Sequence, residues 1–556
     1  METVAELVLS RRGDDRPGLM HGDLVLSHHR AAAAAAARAA LLADLLPAGR
    51  EPHIGLLLAN VPEYPLWLGA AALAGATVVG VNPTRRGPEL ARDITHTECV
   101  LLVTERAYLP LLAGLDLGLP PERVLVVDDP AYEALVAPYE GCEPRAAAGV
   151  GPGTRLLLYF TSGSTGAPKA VIVSQGRLAN AGRSIAAQFG LGPGDVHYIC
   201  MPLFHGNAVM ANWAPALACG AAVALRRGFT ASGFLPDIRA YGATYFTYVG
   251  RAVQYLLATP ERPDDREHTL RHGFGTEAGA VDAERFAARF GVRLTEGYGS
   301  SEGGAAIQRS PGTPPGAVGR AAPGADLAVV DPSTGQERAR AVLDGGTGRL
   351  LNGDEAIGEL VNRGRSRFEG YWKNDSAVAE RTRSGWFWTG DLFFRDPEGY
   401  FHFAGRTDDR LRVDGENLAA ALIENILARY GAAAAVAVYA VPDPVSGDQV
   451  MAALAPHDGS DFDPAAFAAF LAAQPDLGTK MAPRFVRIVP RMPVTATNKI
   501  HRAALRREGF ACADPVWWSP PRSGPCGAAY RALGEADRAE LLDHYRAQGR
   551  EALLDG

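Results

Sequence analysis

A run of small, hydroxyl-bearing residues ends in a lysine between two segments typical of strands, Arg155–Thr161 and Ala170–Ser174. Hydroxyl groups donate hydrogen bonds, glycines let backbone N–H groups approach an anion closely, and the lysine adds a positive charge. The residues with these properties are Thr161, Ser162, Gly163, Ser164, Thr165, Gly166 and Lys169. The run departs from the Walker A pattern, in which a helix begins after the lysine. It predicts a polyphosphate-binding loop, and a flexible Ser/Gly hairpin turn is the alternative.

A second segment, Met201–Gly206, places His205 between a predicted strand and a predicted helix. Imidazole can change its charge near neutral pH, so a histidine in this position can serve chemistry as well as structure. From this segment alone, a structural histidine remains the alternative.

A third segment, Glu296–Gly303, combines glycines with an aromatic ring and a carboxylate. Gly297 and Gly299 would let a nucleotide approach the backbone, and Tyr298 offers a flat face for stacking. Glu302 has the hard oxygen donors that suit Mg²⁺ beside phosphates. The alternative is a glycine-rich turn with a solvated glutamate.

A fourth signal joins Trp386–Asp391 to Gly405–Asp409. One ionised carboxylate, such as that of Asp391, can accept hydrogen bonds from two ribose hydroxyls. Arg406 could pair with phosphate. A hairpin turn with a surface ion pair is the alternative.

The last signal is Lys499, which lies in the segment Pro493–Arg502 close to the end of a predicted second domain. A lysine considered in isolation is usually a solvated surface residue. From this segment alone, no role beyond that of a solvated surface residue follows for Lys499.

Composition limits the classes of protein to consider. The chain has 556 residues, of which 47% are hydrophobic, and a formal net charge of −7, so we expect several domains and no nucleic-acid partner. The six cysteines lie far apart with no C-x-x-C pair, which is typical of buried thiols in a reduced compartment. The acidic N-terminal twenty residues lack a signal-peptide core, and Pro65–Val81 fits a helix and a buried strand better than a transmembrane segment. We therefore expect a cytoplasmic protein.

Short apolar runs alternate with helical stretches, which predicts an α/β fold with helix-covered parallel sheets. The predicted strands are Ile54–Leu58, Thr77–Val81, Val100–Thr104, Val124–Asp128, Val196–Met201, Ala221–Leu225, Ala243–Val249 and Val292–Glu296. We divide the chain into a large N-terminal domain at 1–404, a small α+β domain at 405–510 and a tail at 511–556. A glycine- and proline-rich stretch at about 311–404 predicts a small β-barrel-like subdomain. A helix at Asn417–Tyr430 is predicted to open the second domain.

In this order and spacing, the five signals resemble the adenylate-forming superfamily from about Gly49 to Phe510. Within it, the chain most resembles acyl-CoA synthetases of the fatty-acid-transport-protein type and related actinobacterial acyl-CoA ligases. The stretches that carry this likeness are Gly75–Arg86, Pro168–Ala170, Tyr248–Gly250, Asp414–Asn417, Asp514-Pro515, Trp517 and Trp518. The resemblance implies a large N-terminal domain followed by a small, mobile C-terminal domain that carries Lys499.

The resemblance also implies roles for residues at matching positions. Thr161 to Lys169 would surround the β- and γ-phosphates of ATP, Glu302 would bind Mg²⁺, and Lys499 would bridge the carboxylate and the α-phosphate. His205 would lie near the carboxylate. The other implied nucleotide contacts are Gly275, Thr276, Glu277, Gly297, Tyr298, Gly299, Ser300, Ser301, Asp391 and Arg406. Asp408 would be the hinge of the small domain, and Gly415 would line the passage for the thiol. The acyl pocket would be formed by Asn207, Trp213, Tyr248, Gly250 and Phe274.

Several positions depart from the commonest family pattern. Ser301 replaces a threonine and keeps its hydroxyl. Asn498 replaces the glycine that usually precedes the lysine, and asparagine is the best substitute where φ is positive. Asn417 replaces an arginine, as it does in the transport-protein-like group. The segment His272–Gly279 keeps the glycine content of the family's loop at the nucleotide edge, although Thr276 and Glu277 are unusual in it.

The function implied is ATP-dependent activation of a fatty or aryl acid to an acyl-adenylate, followed by transfer to CoA. An enzyme with another acceptor is the alternative: a carrier protein in trans, an amine, or nitrite activated for diazotisation of an aryl amine. A catalytically silent nucleotide-binding protein is a third. A dehydrogenase is disfavoured, because Gly303 lies one residue off the G-x-G-x-x-G spacing. The implied partners are the acid, ATP and CoA, with no nucleic acid or transmembrane segment, in a monomer or homodimer.

Overall fold

Two parallel sheets form most of the N-terminal part of this computed structural model. The structure describes residues 1–556 except 162–168, 277, 279, 311, 315, 323, 346–349, 365, 408–409, 414–415, 446, 458–460, 479, 496–498, 521–526 and 555–556. For residues 161, 280, 281, 410, 412, 416, 417, 552 and 553 only the backbone is described.

The first sheet has the strand order β6-β5-β3-β4-β7-β8. Its strands are β3 (His53–Leu57), β4 (Thr77–Gly80), β5 (Leu101–Thr104), β6 (Val124–Val126), β7 (Arg155–Thr161) and β8 (Lys169–Ser174). All neighbours are parallel except β7 and β8, which run antiparallel on either side of the predicted phosphate loop. Burial on both faces explains the continuous apolar runs that made these strands predictable.

The second sheet has the strand order β13-β12-β11-β9-β10-β1-β2. Its strands are β1 (Pro17–His21), β2 (Leu24–Ser27), β9 (Val196–Ile199), β10 (Ala222–Leu225), β11 (Tyr245–Val249), β12 (His272–Thr276) and β13 (Leu294–Glu296). Strands β9 to β13 pair in parallel. The hairpin β1–β2 was not predicted from the sequence.

Strand β12 corrects the prediction of a loop at His272–Gly279. A Cβ on Gly273 would lie 2.6 Å from Cε1 of Phe246, and a Cβ on Gly275 would lie 2.6 Å from Cδ2 of Tyr248. Two glycines in this strand therefore make room for rings from β11, because any larger residue would collide with them.

Helices cover both sheets. The helices up to residue 290 are α1 (Val4–Leu9), α2 (His28–Leu45), α3 (Glu63–Ala74), α4 (Gly87–His96), α5 (Leu109–Leu112), α6 (Pro130–Val136), α7 (Gln175–Phe189), α8 (Gly206–Ala208), α9 (Ala214–Cys219), α10 (Ala231–Tyr241), α11 (Gly250–Leu257) and α12 (Ala280–Phe290). A π-helix, Val209–Trp213, joins α8 to α9. Pro65–Val81 contains most of α3 and all of β4, as predicted, and no described helix is long and apolar enough to cross a membrane.

The β-rich stretch predicted at about 311–404 contains few helical residues. Its strands are β14 (Ile307–Gln308), β15 (Arg320–Ala321), β16 (Leu327–Val330), β17 (Gly358–Asn362), β18 (Phe387–Arg395) and β19 (Phe401–Arg406), and its helices are α13 (Gly353–Ala356) and α14 (Asp375–Arg381). Strands β16 to β19 form an antiparallel sheet in sequence order.

The C-terminal part contains a two-stranded hairpin and a five-stranded sheet with the order β22-β23-β24-β25-β26. The strands are β20 (Arg410–Val413), β21 (Glu416–Ala419), β22 (Ala433–Pro442), β23 (Asp448–Pro456), β24 (Phe485–Ile488), β25 (Val516–Trp518) and β26 (Arg531–Ala532), and the helices are α15 (Ala420–Leu427), α16 (Pro464–Ala472), α17 (Arg502–Glu508) and α18 (Glu535–Ala547). Short 3₁₀ turns lie at Arg106–Tyr108, Pro121–Arg123, Ala137–Tyr139, Arg383–Gly385, Gly509–Ala511 and Glu551–Leu554.

Two details of this region differ from the sequence predictions. The helix predicted from Asn417 begins at Ala420, because residues up to Ala419 pair with β20. Residues beyond 510, which we set apart as a tail, supply β25 and β26 to the sheet, and Tyr545 of α18 is buried in the same core as Phe485.

Candidate active site

Glu302 is held through both its backbone turn and its side chain. The guanidinium of Arg177 donates to the carbonyl of Ser301, and the following Gly303 has φ 64°, with the Arg177 guanidinium packed where a Cβ would lie. The hydroxyl of Tyr371 donates to Oε1 of Glu302 at 3.1 Å. The carboxylate is 8% exposed, so its orientation is determined by these neighbours rather than by solvent.

Asp391 and Arg406 are directly paired residues on β18 and β19. Nε of Arg406 lies 3.5 Å from Oδ1 of Asp391, and the hydroxyl of Tyr298 donates to Oδ2 at 2.7 Å. Burial raises the pKa of Asp391, while the charge of Arg406 and the Tyr298 hydrogen bond oppose that rise. The structure thus brings together three of the residues that the sequence predicted around a nucleotide.

The ring of Tyr298 packs edge-on against Phe393, with 4.8 Å between the ring centroids. Its hydroxyl is engaged by Asp391, and burial with that carboxylate raises the pKa of Tyr298. The residues that follow it, Gly299 and Ser300, are exposed. Gly299 and Ser300 are thus open to solvent next to the partly buried Tyr298–Asp391 hydrogen bond.

Lys169 begins β8 and lies near Tyr371, the residue that donates to Glu302. Its ammonium is 3.3 Å from Oε2 of Glu380 and 5.6 Å from the ring centroid of Tyr371. Residues 162–168 lie outside the described part of the chain, as does the side chain of Thr161. The predictions for Ser162, Gly163, Ser164, Thr165 and Gly166 therefore stay predictions.

His205 follows a loop that is tightly held. The side chain of Asn60, 3% exposed, donates to the carbonyl of Met201 at 2.9 Å and accepts from the N–H of Leu203 at 2.9 Å. The hydroxyl of Tyr159 donates to the carbonyl of Leu203 at 3.1 Å. His205 itself is partly buried and precedes α8. Gly206 packs beside Ser301, where a Cβ would lie 3.0 Å from its Oγ, so this loop lies against the turn that carries Glu302.

The predicted acyl-pocket residues do not all lie together. Phe274 packs against Phe189 at 5.3 Å between centroids, and Phe189 packs against Tyr245 at 5.6 Å. Tyr248 instead packs against Phe246, on the opposite face of β11. Phe274 and Tyr248 therefore point to different sides of the sheet and do not form one wall.

The hydroxyl of Tyr248 donates to Oε1 of Glu296 at 2.7 Å, and the same oxygen accepts from the N–H of Ala278 at 3.2 Å. Burial and the Glu296 charge raise the pKa of Tyr248. Glu296 thus links the carboxyl ends of β11 and β13 to the segment after β12. Thr276 ends β12 and is partly buried, whereas Glu277 lies outside the described residues.

Trp213 ends the π-helix and lines a cavity of about 60 Å³ with Leu19, Ala32, Leu66 and Val223. Neither Tyr248 nor Phe274 borders this cavity. Gly250 begins α11 and is buried. The Oδ1 atom of Asn207 is buried without a hydrogen-bond partner among the described residues.

Beneath the π-helix, His197 is fully buried and its Nδ1 lies 3.1 Å from the carbonyl oxygen of Asn212. Burial lowers the pKa of His197 from 6.5 to about 4. The histidine is therefore neutral at physiological pH and holds the π-helix as a hydrogen-bonding group rather than as a cation.

Lys499 lies near the end of a short hairpin in the C-terminal part. Val494 and Ile500 form a β-bridge, and the N–H of Thr495 donates to the carbonyl of Lys499 at 2.7 Å. Asn498, Asp408 and Gly415 lie outside the described residues, and the side chain of Asn417 is likewise not described.

The sequence predictions missed four residues that position the site: Asn60, Arg177, Tyr371 and Arg381. Arg381 of α14 donates to the carbonyl of Trp388 at 3.2 Å, and its positive charge opposes the rise that burial causes in the pKa of Tyr371. No local pattern indicates these roles, because Asn60, Arg177 and Tyr371 act through residues far away in sequence and Arg381 acts beside Tyr371.

Comparison with known proteins decides which family this arrangement belongs to. The sequence profile of the AMP-binding enzyme family matches residues 8–372, and that of the AMP-binding enzyme C-terminal domain matches residues 422–499. The chain belongs to the AMP-binding enzyme family. The family's two profiles together match both the large sheets and the region that carries Lys499.

Two relatives within the family are similar over most of their length. The chain is 52% identical to a steroid-22-oyl-CoA synthetase of Rhodococcus jostii over 99% of both chains. It is 45% identical to the medium/long-chain-fatty-acid–CoA ligase FadD17 of Mycobacterium tuberculosis over 93% of this chain and 98% of the relative.

Solved structures of the family show the same fold. The anthranilate CoA ligase AuaEII in complex with anthranoyl-AMP matches with a TM-score of 0.78 at 22% identity, over 91% of this chain and 96% of the other. ATP-bound MatB from Rhodopseudomonas palustris matches with a TM-score of 0.77 at 22% identity, over 90% and 98%. The chain is an ATP-dependent ligase that activates a carboxylic acid and transfers it to CoA.

Proposed function

We propose that the acid is a large hydrocarbon carboxylate, with a steroid side-chain acid as the preferred substrate. The observation that carries this proposal is the 52% identity to steroid-22-oyl-CoA synthetase over 99% of both chains. Medium- and long-chain fatty acids are the second candidate, because FadD17 is 45% identical over 93% of this chain.

The aromatic wall at Phe274 supports an apolar substrate. Phe189 packs against both Tyr245 and Phe274, and Gly297 leaves the Phe274 ring the space that a Cβ would take. Rings of this kind contribute large apolar area for contact with a hydrocarbon. We assign the acyl pocket to this face of the second sheet rather than to the Tyr248 face.

For ATP, we assign Asp391 to the ribose hydroxyls and Arg406 to the ribose or a phosphate. One carboxylate can accept two hydroxyl hydrogen bonds, and Arg406 already lies beside it. We assign Lys169 and the loop at 161–168 to the β- and γ-phosphates. In this arrangement Lys169 would exchange its exposed partner Glu380 for phosphate, which costs little because exposed ion pairs are weak.

We assign Mg²⁺ to Glu302. The described residues contain no group of three or more His, Cys, Asp or Glu that could hold a metal. A single carboxylate nevertheless fits, since Mg²⁺ is commonly bound by one or two carboxylates together with substrate phosphates. When bound, Mg²⁺ neutralises charge on the triphosphate and on the departing pyrophosphate.

We assign the acid-activating charge to Lys499. A carboxylate oxygen attacks the α-phosphorus, the bond to pyrophosphate breaks, and an ammonium beside both groups stabilises the negative charge that develops between them. The CoA thiolate then attacks the acyl carbon and AMP leaves. We assign His205 to the acid carboxylate, and the loop that Asn60 holds through Met201 and Leu203 supports this assignment by fixing the segment before it.

The remaining assignments follow the family. We propose a domain boundary at 404, a hinge at Asp408, a thiol passage at Gly415, a monomer or homodimer, and action in the cytoplasm. Transfer to a carrier protein in trans and nitrite activation would need acceptors other than CoA, and the CoA ligases among the relatives favour CoA.

A competition assay tests the proposed substrate. The purified protein is given Mg-ATP, CoA and equal concentrations of a steroid-22-oic acid, dodecanoate, hexadecanoate and benzoate, and acyl-CoA products are measured by mass spectrometry. We expect kcat/KM to be highest for the steroid acid, followed by the fatty acids. Preference for benzoate would contradict the hydrocarbon assignment, and preference for a fatty acid would favour the second candidate.

A further inference from the structure

Tyr371 lies at the meeting point of three charged groups. Its hydroxyl donates to Oε1 of Glu302 at 3.1 Å, and the positive charge of Arg381 opposes the rise that burial causes in its pKa. The ammonium of Lys169 lies 5.6 Å from its ring centroid, within the range of a cation–π contact. The side chain is 3% exposed, so these groups, and not solvent, surround it.

The backbone on either side of Tyr371 is fixed to β8. Tyr371 forms an antiparallel bridge with Val171. The N–H of Trp372 donates to the carbonyl of Ala170 at 2.8 Å, and the N–H of Ile172 donates to the carbonyl of Gly370 at 3.1 Å. Because Lys169 begins the same strand, the ring of Tyr371 and the ammonium of Lys169 are positioned together.

Arg381 connects this group to the strand that carries Asp391. Its guanidinium donates to the carbonyl of Trp388 at 3.2 Å, and its Nη1 lies 2.5 Å from where a Cβ on Gly390 would be. Gly390 has φ 75°, so glycine is required there both for conformation and for space. Arg381 is therefore anchored to β18 next to Tyr371, and Tyr371 is in turn hydrogen-bonded to Glu302.

We infer that Tyr371 is a positioning residue that orients the Glu302 carboxylate for Mg²⁺, and that Arg381 holds Tyr371 in that orientation. This inference rests on the proposed role of Glu302. One oxygen of Glu302 is engaged by Tyr371, which turns the carboxylate and presents the other oxygen in a defined direction. Hydrogen-bonding partners of metal ligands commonly set metal affinity in this way.

The test measures metal binding without turnover. Mn²⁺ replaces Mg²⁺, the nucleotide is α,β-methylene ATP, no acid is present, and bound Mn²⁺ is measured by electron paramagnetic resonance. Tyr371→Phe removes only the hydroxyl and is expected to weaken Mn²⁺ binding roughly 10- to 100-fold. The affinity for the metal-free nucleotide is expected to stay within about twofold of wild type. A merely structural defect would weaken the binding of both the metal and the nucleotide.

The matched control is Tyr139→Phe. Tyr139 also donates its hydroxyl to a carboxylate, Asp44, at 2.6 Å, but on the surface and away from the site. This variant is expected to bind Mn²⁺ as wild type does. Arg381→Met is expected to weaken Mn²⁺ binding less than Tyr371→Phe, because it leaves the Tyr371–Glu302 hydrogen bond in place. If Tyr371→Phe does not fold, Mn²⁺ binding by Arg381→Met tests the positioning role instead.

Glu302→Gln separates this inference from the proposed function. If Glu302→Gln weakens Mn²⁺ binding while Tyr371→Phe and Arg381→Met bind as wild type does, the positioning role is wrong and the metal assignment stands. If none of the three variants changes Mn²⁺ binding, both the positioning role and the metal assignment are wrong.

Discussion

The hydroxyl of Tyr298 donates a hydrogen bond to Oδ2 of Asp391 at 2.7 Å, which ties the glycine-rich turn after β13 to strand β18. Arg406 lies against the other oxygen of the same carboxylate. Tyr298, an expected nucleotide contact, and Asp391, the proposed ribose contact, are thus hydrogen-bonded to each other, and each limits the movement of the other.

Tyr298→Phe is predicted to raise KM for Mg-ATP roughly tenfold, because one oxygen of a buried carboxylate loses its donor. The hydrogen bond favours the ionised form and opposes the rise that burial causes in the pKa of Asp391. Without it that pKa rises further, so the defect should grow as the pH falls. Pyrophosphate exchange measured between pH 5.5 and 8 checks this, and a pH-independent defect would contradict the assigned role of the hydrogen bond.

Gly297→Ala is predicted to displace the Phe274 ring, since a Cβ there would lie 2.5 Å from its Cε2. Crowding of this kind commonly costs about 1–3 kcal/mol of stability. We expect KM for the acid to rise more than KM for ATP. Pyrophosphate exchange measures both values when the concentration of the acid and that of ATP are varied in turn. Gly299→Ala is the stability control, because no atom lies within 4 Å of its Cβ position. Equal loss of thermal stability in both variants would contradict the packing argument.

The sequence predicts those site residues that stand in a recognisable short motif. It does not predict residues whose role comes only from contacts made in the folded structure. Glu302, Asp391, Arg406 and Lys169 stand in short segments whose residue types indicate phosphate and ribose chemistry. In the structure Tyr371 contacts both Glu302 and Lys169, and Asp391 pairs with Arg406. The position of Tyr371 depends on its bridge to β8. That bridge has no local signal, so Tyr371 and its neighbour Arg381 were not predicted.

The fold shows the same division. Strands β3, β4 and β5 are buried on both faces and have continuous apolar sequences, so they were predicted to within a residue at each end. Strand β12 was taken for a loop because its glycines match a glycine-rich loop of the resembled family, although they are needed there by the rings of Phe246 and Tyr248. The acyl pocket was predicted from the same resemblance, and strand alternation places Tyr248 and Phe274 on opposite faces.

His197 provides a prediction for stability. Burial lowers its pKa from 6.5 to about 4, so between these values the unfolded chain binds a proton that the native chain does not. Native stability should therefore fall as the pH drops from about 6.5 towards 4, by about 1.4 kcal/mol per pH unit and roughly 3 kcal/mol in all. In His197→Asn this part of the pH dependence should disappear.

Thermal unfolding at pH 7 and pH 5 measures the effect as the difference in Tm between the two conditions. His544→Asn, at an exposed position on α18, is the control and should keep the wild-type difference. An unchanged difference in His197→Asn would show that another group is responsible.

Lys499→Ala is predicted to reduce acyl-adenylate formation by at least about a hundredfold, since it removes the ammonium that stabilises the developing charge. Thioester formation from supplied acyl-adenylate and CoA should stay close to wild type. Pyrophosphate exchange reports the first half-reaction, and acyl-CoA release reports the second. Equal loss of both would contradict a role for Lys499 specific to adenylation.

Isotope transfer tests the central claim, that the acid is activated by attack of its carboxylate on the α-phosphorus of ATP. The acid is labelled with ¹⁸O in both carboxylate oxygens and incubated with the protein, Mg-ATP and CoA, and the products are analysed by mass spectrometry. The account predicts acyl-CoA with one ¹⁸O, AMP with one ¹⁸O and unlabelled pyrophosphate. Label in pyrophosphate or inorganic phosphate, or acyl-CoA formed with unlabelled AMP, would contradict an acyl-adenylate intermediate.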